Sequence, residues 1–160
     1  MLRLRLILVL FALVLAGLGG TTTHAATKRH HHNRHHQHHH RRHHHRSAGK
    51  QVVRYARKFL GIRYSWGGIS PRTGFDCSGL VSFVYSRFGV SLPHYTGAQL
   101  YRGRHVPRRR LRPGDLLFFG FGHVGLYAGH GRFIHAPHTG ARVRIERLRR
   151  WRVTDARRVV

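Results

Sequence analysis

Apolar residues recur every three or four positions in two stretches of the chain, which is the spacing of a helix with one buried face. The first stretch predicts a helix over residues 49–60 that ends at Gly61. The second predicts a helix that begins at or just after Cys77 and ends at Gly89. A glycine-rich segment, YSWGGISPRTG, connects the two predicted helices.

The C-terminal part of the chain shows strand patterns instead. In the segment ARVRIE, the apolar Ala, Val and Ile alternate with Arg, Arg and Glu. The predicted strands cover residues 115–119, 123–129, 132–137 and 141–146. Their short glycine-containing links favour antiparallel hairpins, and Thr96 is expected to cap a short helix through Gln99. Helices followed by strands predict an α+β domain in which helices pack on an antiparallel β-sheet.

The first residues have the features of an export signal. Two arginines precede an apolar run from Leu6 to Leu18, and small residues follow as far as Ala25. We expect residues 1–25 to be a signal peptide cleaved after Ala25, so that the protein is secreted or periplasmic. The alternative is an uncleaved membrane anchor, although the run is shorter than the ~20 apolar residues of a spanning helix. A lipoprotein anchor is excluded because no cysteine lies near this site.

A histidine-rich tract follows the predicted signal. Residues 27–46 contain 11 His and 6 Lys or Arg, so this segment has too little apolar surface to fold. The predicted organisation is a disordered linker over 26–48 and a folded domain over 49–160. The tract is interpreted as a pH-dependent cationic tether. Metal chelation and a plain solvated linker are the alternatives.

The amino-acid composition indicates which binding partners the protein favours and excludes some types of active site. The chain carries 30 Lys and Arg against 4 Asp and Glu, a net charge of +26. Residues 49–160 hold 22 of these basic residues and all 4 acidic ones, so +18 belongs to the predicted domain. This charge favours a polyanionic partner: nucleic acid, anionic lipid or an anionic cell-wall polymer. One cysteine excludes an internal disulfide, and four scattered carboxylates argue against a paired-carboxylate hydrolase.

The single cysteine lies in the segment FDCSG, at the predicted start of a helix. Unpaired backbone N–H groups and the helix dipole favour an anion at this position, which suits a nucleophilic thiolate. A lone cysteine considered by itself is more often a buried structural residue. The histidines of the domain therefore decide between the two interpretations.

Two of these histidines are predicted to become neighbours. If residues 123–128 fold back on 132–137, Gly125 faces His135, and residues 123, 125, 133 and 135 share one face of the sheet. His123 and His135 are then diagonal neighbours with Cα atoms about 7–8 Å apart. One imidazole is expected to act as base toward the thiol while the other orients it. A zinc site made of both histidines and Cys77 is an alternative that lacks a carboxylate partner.

The remaining histidines of the domain receive no functional role from their sequence context. They lie beside turns, prolines or basic runs, where solvent-exposed positions are common. They are His94, His105, His130 and His138.

Several motifs in a fixed order resemble the NlpC/P60 family of cell-wall cysteine peptidases. They are YSWGG, GFDCSGLVSFVY, LP, LRPGDLLFF, HVGLYAG and FIHAP, and the resemblance runs from about residue 50 to residue 146. It implies a papain-like α+β fold and hydrolysis of peptidoglycan stem peptides. The bond that such enzymes typically cleave joins the γ-carboxyl of D-glutamate to a diamino acid.

The resemblance also implies roles for individual residues. It makes Cys77 the nucleophile, His123 the general base and His135 the residue that orients the base. It implies no cofactor and no metal.

Three further residues match positions that contact the substrate in the family. Tyr64 matches a tyrosine near the oxyanion. Asp76 and Ser78 match a pair that holds the free amine of the stem peptide's L-alanine. For Asp76 the alternative is a helix N-cap that accepts backbone N–H bonds.

The sequence therefore predicts a monomeric, exported cysteine endopeptidase acting on peptidoglycan stem peptides, with anionic wall polymers or a membrane surface as further partners of the basic tail. The alternatives are a non-catalytic binder of wall polymers on the same fold and an amidase of the CHAP type. A nucleic-acid-binding protein is disfavoured by the signal peptide and by the lack of a nucleic-acid-binding signature.

Overall fold

The computed structural model describes residues 48–160. The predicted signal peptide and nearly all of the predicted linker lie outside the described residues. Within residues 48–160, no helix is both long and apolar enough to cross a membrane.

Two helices lie where the apolar spacing predicts them, and a third, short helix lies where Thr96 and Gln99 predict it. Helix α1 covers 48–56 of the described residues and continues as a 3₁₀ turn, Arg57–Phe59. Helix α2 is Cys77–Ser86 and helix α3 is Thr96–Gln99. The expectation that Thr96 caps α3 is wrong, because Tyr95 holds the N-cap position and makes no side-chain capping bond.

The glycine-rich segment between α1 and α2 forms a short hairpin. Strands β1 (Ile69–Ser70) and β2 (Gly74–Phe75) pair antiparallel. Tyr64 forms an isolated parallel bridge with Phe75, which brings the start of this segment next to the residue that leads into α2. The segment is therefore held against the beginning of the cysteine helix.

A six-stranded antiparallel sheet makes up the rest of the domain, in the order β3-β8-β4-β5-β6-β7. Its strands are β3 Arg104–His105, β4 Leu116–Phe118, β5 Val124–Gly129, β6 Arg132–His135, β7 Arg144–Arg147 and β8 Asp155–Arg158. All four predicted strands are present. The first three are shorter than predicted, and the fourth, predicted over 141–146, begins three residues later and ends one residue later. Strands β3 and β8 are not among the predicted ones, and β8 pairs with β4 in the middle of the sheet.

The register of β5 against β6 agrees with the prediction. Leu126 pairs with Ile134 and Tyr127 with Phe133, and a register shift follows Tyr127. Continuing this register by one residue places Gly125 opposite His135, as predicted.

Each face of the sheet is covered by its own hydrophobic cluster. On one face, fully buried strand residues such as Phe118, Val124 and Ile134 pack with Leu80 and Val84 of α2. The other face carries a smaller cluster, which comprises Val106, Leu117, Phe133, Leu148 and Ala156. Because side chains alternate along a strand, His135 lies on the face opposite Ile134, the face of the smaller cluster. The fold is therefore α+β, with helices packed on an antiparallel sheet.

Candidate active site

Asp76 holds the start of the cysteine helix. It is the N-cap of α2, and its Oδ1 accepts hydrogen bonds from the Gly79 amide at 2.7 Å and the Ser78 hydroxyl at 3.0 Å. Its Oδ2 accepts from the Gly67 amide at 3.0 Å and from Nε2 of His94 at 2.8 Å. Four donors therefore converge on this carboxylate, which both caps the helix and ties the glycine-rich segment to it.

Cys77 is the first residue of α2, as the sequence predicts. Its thiol is free and only 9% of the residue is exposed. The Sγ atom lies 3.6 Å from Oγ1 of Thr96 and 3.9 Å from the carbonyl oxygen of Gly122. Unpaired N–H groups at a helix start favour negative charge there, so the position suits a thiolate.

His123 and His135 are joined by a hydrogen bond. His123 lies immediately before β5 and His135 is the last residue of β6, and the Nε2 atom of the first is 2.9 Å from Nδ1 of the second. His135 is fully buried. Among the described residues, the hydrogen-bond partners of the Cys77 sulfur do not include His123. The Nδ1 atom of His123 has no hydrogen bond within residues 48–160.

Aromatic rings surround the histidine pair. The Trp151 indole stacks on the His123 imidazole, with ring centroids 5.6 Å apart and planes 24° apart, and meets His135 edge-on at 5.2 Å. The Phe133 ring lies 4.6 Å from His135. This ring has room because residue 125 is glycine: a Cβ atom at Gly125 would lie 2.6 Å from Cδ2 of Phe133. The orientation of both imidazoles therefore depends on packing as well as on their mutual bond.

A carboxylate lies on the far side of His135. Oε1 of Glu146 is 3.5 Å from Nε2 of His135. Glu146 accepts hydrogen bonds at 2.6 Å from the Trp151 indole N–H and at 2.6 Å from Nε of Arg144. The chain from Glu146 through His135 to His123 is thus a continuous row of polar groups.

Burial keeps both imidazoles neutral at neutral pH. Desolvation lowers the pKa of His123 to about 4, with the Glu146 charge opposing the shift. Desolvation and the neighbouring His123 lower the pKa of His135 to about 4. Partial burial raises the pKa of Glu146, but the hydrogen bonds from Trp151 and Arg144 outweigh it and the net pKa is lowered. His123 therefore has a free lone pair to accept a proton.

Cys77, His123, Glu146 and Trp151 line a cavity of about 1100 Å³. Its lining comprises Tyr64, Trp66, Gly67, Asp76, Cys77, Ser78, His94, Tyr95, Thr96, Phe121, Gly122, His123, Pro137, His138, Thr139, Arg144, Glu146 and Trp151. Three aromatic side chains at its rim, Trp66, Tyr95 and Phe121, are 88%, 66% and 72% exposed. Side chains this exposed are available to contact a molecule that enters the cavity.

The cavity brings together five of the six predicted site residues, namely Tyr64, Asp76, Cys77, Ser78 and His123. The sixth, His135, lies behind His123 and is bonded to it. Burial, together with the charges of Cys77 and Asp76, raises the pKa of Tyr64, so its hydroxyl is protonated and available as a donor.

Many residues that line the cavity are not predicted from the sequence, including His138, to which the sequence analysis gives no role. Four of the unpredicted residues contact predicted ones: His94, Thr96, Glu146 and Trp151. His94 and Thr96 follow the proline of the LP motif, a position that marks the approach of this segment to α2. Glu146 and Trp151 follow the last predicted strand, and no local pattern connects them with His135. Within residues 48–160, no three His, Cys, Asp or Glu side chains are grouped to hold a metal ion.

Residues 61–157 match the NlpC/P60 family. Over 119 residues the chain is 37% identical to peptidoglycan endopeptidase RipA of Mycobacterium tuberculosis, a match that covers 65% of this chain and 25% of RipA. Over 95 residues it is 43% identical to the probable endopeptidase p60 of Listeria welshimeri, covering 57% of this chain and 18% of p60. The chain thus spans a quarter or less of the length of these two relatives.

Solved structures with the same fold include two peptidoglycan hydrolases. The NlpC/p60 domain of the peptidoglycan hydrolase SagA superposes with a TM-score of 0.65 and 34% identity, over 69% of this chain and 97% of that one. The peptidoglycan hydrolase RipB from Mycobacterium tuberculosis superposes with a TM-score of 0.66 and 36% identity, over 72% of this chain and 66% of that one.

Proposed function

Because the chain belongs to the NlpC/P60 family, we propose that it is a cysteine endopeptidase that hydrolyses peptidoglycan stem peptides. The proposal rests on the relative positions of one cysteine and two histidines. Cys77 begins a helix and shares a cavity with a neutral His123, which is itself hydrogen-bonded to the buried His135. A nucleophile, a base and an orienting group are the elements of a catalytic triad.

The first half of the reaction forms a thioester. His123 accepts the proton of the Cys77 thiol, and the thiolate attacks the carbonyl carbon of the scissile amide. The C–S bond forms while the carbonyl oxygen takes up the negative charge. The C–N bond then breaks, and the His123 imidazolium gives its proton to the leaving amine.

The second half of the reaction hydrolyses the thioester and releases the carboxylic acid product. Water attacks the thioester carbon and His123 accepts a proton from it. The C–S bond breaks, and the imidazolium returns its proton to the Cys77 thiolate. His135 orients His123 through the 2.9 Å hydrogen bond in both halves. Tyr64, protonated and in the same cavity, is suited to donate a hydrogen bond to the oxyanion.

The substrate is proposed to be the bond between the γ-carboxyl of D-glutamate and a diamino acid. The relatives named peptidoglycan endopeptidase and peptidoglycan hydrolase support peptidoglycan as the polymer from which the substrate comes. Asp76 and Ser78 lie in the cavity beside Cys77, where they are proposed to bind the free amine of L-alanine. The exposed Trp66, Tyr95 and Phe121 are available to the rest of the stem peptide.

The proposed setting is outside the cytoplasm, where peptidoglycan lies. It rests on the signal-like residues 1–25, followed by the His-rich residues 26–48 and the peptidase domain over 49–160. The protein is proposed to work as a monomer and without a metal.

A second cavity supports binding to an anionic wall polymer as an accompanying function. It measures about 970 Å³, and its lining includes Arg104, Arg109, Arg110, Arg112 and Arg158; we refer to it as the arginine cavity. Of the described side chains that line it, Asp115 is the acidic one, and its carboxylate is ion-paired with Arg158 at 2.6 Å. Arginine is suited to bidentate contacts with phosphate and carboxylate groups.

The test of the proposed function is digestion of purified peptidoglycan and of its isolated stem peptides, with the fragments identified by mass spectrometry. New termini at D-glutamate and at the diamino acid are expected with the wild-type protein and not with Cys77→Ala. Fragments cut between sugar and peptide would instead indicate an amidase. Binding without any new fragment would favour a non-catalytic wall-binding protein.

A further inference from the structure

The buried end of the histidine pair faces a single carboxylate. Nε2 of His135 is fully buried and makes no hydrogen bond among residues 48–160, and Oε1 of Glu146 lies 3.5 Å from it. That distance is longer than a hydrogen bond, but hydrogen bonds of catalytic groups are often long before substrate binds. The Trp151 indole donates to Oε2 of Glu146, and Nε of Arg144 donates to Oε1, the same atom that faces His135.

Only one tautomer of His135 suits this position. A proton on Nε2 points an N–H group at the carboxylate, whereas a bare Nε2 would set one lone pair against another. With Nε2 protonated, Nδ1 of neutral His135 is an acceptor, so the 2.9 Å bond requires His123 to donate from its own Nε2. The lone pair of His123 is then on Nδ1, the nitrogen that has no hydrogen bond among the described residues.

We propose that Glu146 is a positioning residue that fixes the tautomers of His135 and His123 and stabilises the imidazolium formed when His123 accepts the Cys77 proton. The proposal deepens the proposed peptidase function and rests on it. Glu146 acts through His135, which extends the triad by one group. Trp151 contributes to the same positioning, because its indole N–H donates to Glu146 and its ring stacks on His123.

The charges around Glu146 agree with this role. Arg144, on the same strand as Glu146, donates a hydrogen bond to the Glu146 carboxylate. His135, on β6, faces the carboxylate, and His123 lies on the other side of His135. Trp151, from the segment after β7, contributes a neutral donor. The negative charge of Glu146 raises the pKa of both histidines against the larger effect of burial. Loss of that charge must therefore make the imidazoles harder to protonate.

The first test needs no substrate. Long-range ¹H–¹⁵N spectra of the ¹⁵N-histidine-labelled full chain at neutral pH distinguish protonated from unprotonated ring nitrogens, and His135→Gln identifies the His135 signals. We expect protonated Nε2 and unprotonated Nδ1 in His135 of the wild type. An unprotonated Nε2 in the wild-type protein would overturn the proposal, whatever any variant does.

The second test is kinetic and uses Glu146→Gln, which keeps the size of the side chain and removes its charge. We expect kcat for stem-peptide cleavage to fall about 10- to 100-fold, by analogy with the loss of an outer hydrogen-bond partner of a metal-bound histidine, with KM changed less than about twofold. The acidic limb of the kcat/KM profile should shift to lower pH, because the imidazoles lose the charge that favours their protonation.

The matched control is Asp155→Asn. Asp155 accepts a hydrogen bond from Nδ1 of His105 at 2.7 Å on the same sheet, but it does not line the Cys77 cavity. The control should leave kcat and the acidic limb unchanged. A purely structural role of Glu146 would lower activity without moving the limb, and that result contradicts the proposal. Absence of stem-peptide cleavage by the wild type would refute the proposed function, while the spectra would still decide the role of Glu146.

Discussion

The carboxylate of Asp76 lies 2.8 Å from Nε2 of His94, and both residues line the cavity that also contains the cysteine thiol. With the Gly67 and Gly79 amides and the Ser78 hydroxyl, His94 completes a set of four donors around this side chain. A substrate ammonium that binds Asp76 has to replace His94 or share the carboxylate with it. Capping the helix and binding an amine are therefore competing uses of the same two oxygens.

The amine-binding role makes a prediction about substrate preference. Acetylating the N-terminal L-alanine of a stem peptide removes its charge, and kcat/KM is expected to fall by an amount equivalent to about 1.5–3 kcal/mol, the contribution of a charge-assisted hydrogen bond. A peptide acetylated at the far amine of the diamino acid is the matched control. Equal rates on blocked and free L-alanine, or on glycan-linked peptides, would leave Asp76 with the capping role alone.

The nucleophile is tested at Cys77. Replacing it with alanine should abolish cleavage and leave the circular dichroism spectrum and the melting curve close to those of the wild type, because only one sulfur atom is removed. In the wild type, iodoacetamide should label Cys77 faster than it labels free cysteine at neutral pH, and His123→Ala should slow that labelling. Full activity of Cys77→Ala would refute the cysteine mechanism.

The two histidines should differ in importance. His123→Ala removes the proposed general base and is expected to lower kcat by about 10²- to 10⁴-fold. His135→Gln removes the proposed orienting group and should cause a smaller loss, of about 10- to 100-fold by analogy with outer partners of metal-bound histidines. Steady-state kinetics on one stem peptide, with both variants checked for folding by their melting curves, measure the difference. A larger loss at His135 than at His123 would reverse the assigned roles.

Stability should depend on pH through the same pair. The unfolded histidines titrate near 6.5, whereas in the fold burial lowers the pKa of each to about 4. Between these values the unfolded chain binds more protons, so the free energy of unfolding decreases as pH falls from about 6.5 to about 4. For the fully buried His135 the decrease is on the order of 3 kcal/mol.

Urea unfolding at pH 7.5, 6 and 5 measures this dependence, and His135→Gln is the comparison. The variant should lose less stability over the same interval because it has one buried imidazole fewer. Glu146 and Asp155, whose pKa values are lowered, affect stability mainly below about pH 4.5, which is lower than the pH values of these measurements. An equal pH dependence in the two proteins would contradict the prediction.

The sequence predicts that His123 and His135 are neighbours, but it does not predict which side chains surround them. Strand alternation with a short glycine-containing link predicts the register of β5 on β6, because a slip of one residue would expose Ile134 and bury polar residues. The same alternation assigns Glu146 to solvent. It cannot show that the chain turns after Leu148–Arg150 and covers that side with Trp151.

Strand β8 shows the same limit. Asp155–Arg158 contains two arginines among four residues and has no alternation that indicates a strand. It nevertheless pairs with β3 on one side and β4 on the other. Its place depends on backbone hydrogen bonds to distant strands and on Ala156 packing in the smaller cluster. His94 is likewise recognisable only once the fold brings it to Asp76.

Binding to anionic wall polymer should become tighter as pH falls. A free imidazole has a pKa of ~6.5, so many of the 11 His of residues 27–46 should acquire charge near pH 5.5, although repulsion between neighbouring charges delays the later protonations. Sedimentation with purified wall polymer, at low and high salt, compares the mature protein with a chain that starts at Ser47. The shorter chain should keep appreciable binding at pH 7 through its arginines, and salt should weaken both proteins.

The outcome of this assay separates the interpretations of the tract. An unchanged pH dependence after truncation would make the tract a spacer. Tighter binding on addition of micromolar Zn²⁺, seen only when the tract is present, would support metal chelation instead. Arg109→Gln with Arg110→Gln should weaken the binding that remains in the shorter chain at pH 7, since both residues line the arginine cavity.

The start of α1 touches the turn that leads into β4. A Cβ atom at Gly49 would lie 2.0 Å from the carbonyl oxygen of Pro113, and one at Gly114 would lie 2.7 Å from the Cα of Gly49. Pro113 and Gly114 also line the arginine cavity, so the chain joins the domain at the edge of that cavity. If the arginines bind a polymer as proposed, its next anionic groups would be at a high effective concentration beside the point where the histidine-rich tract is attached. Two weak cationic sites linked in this way would gain avidity, and protonation of the tract would strengthen the overall binding.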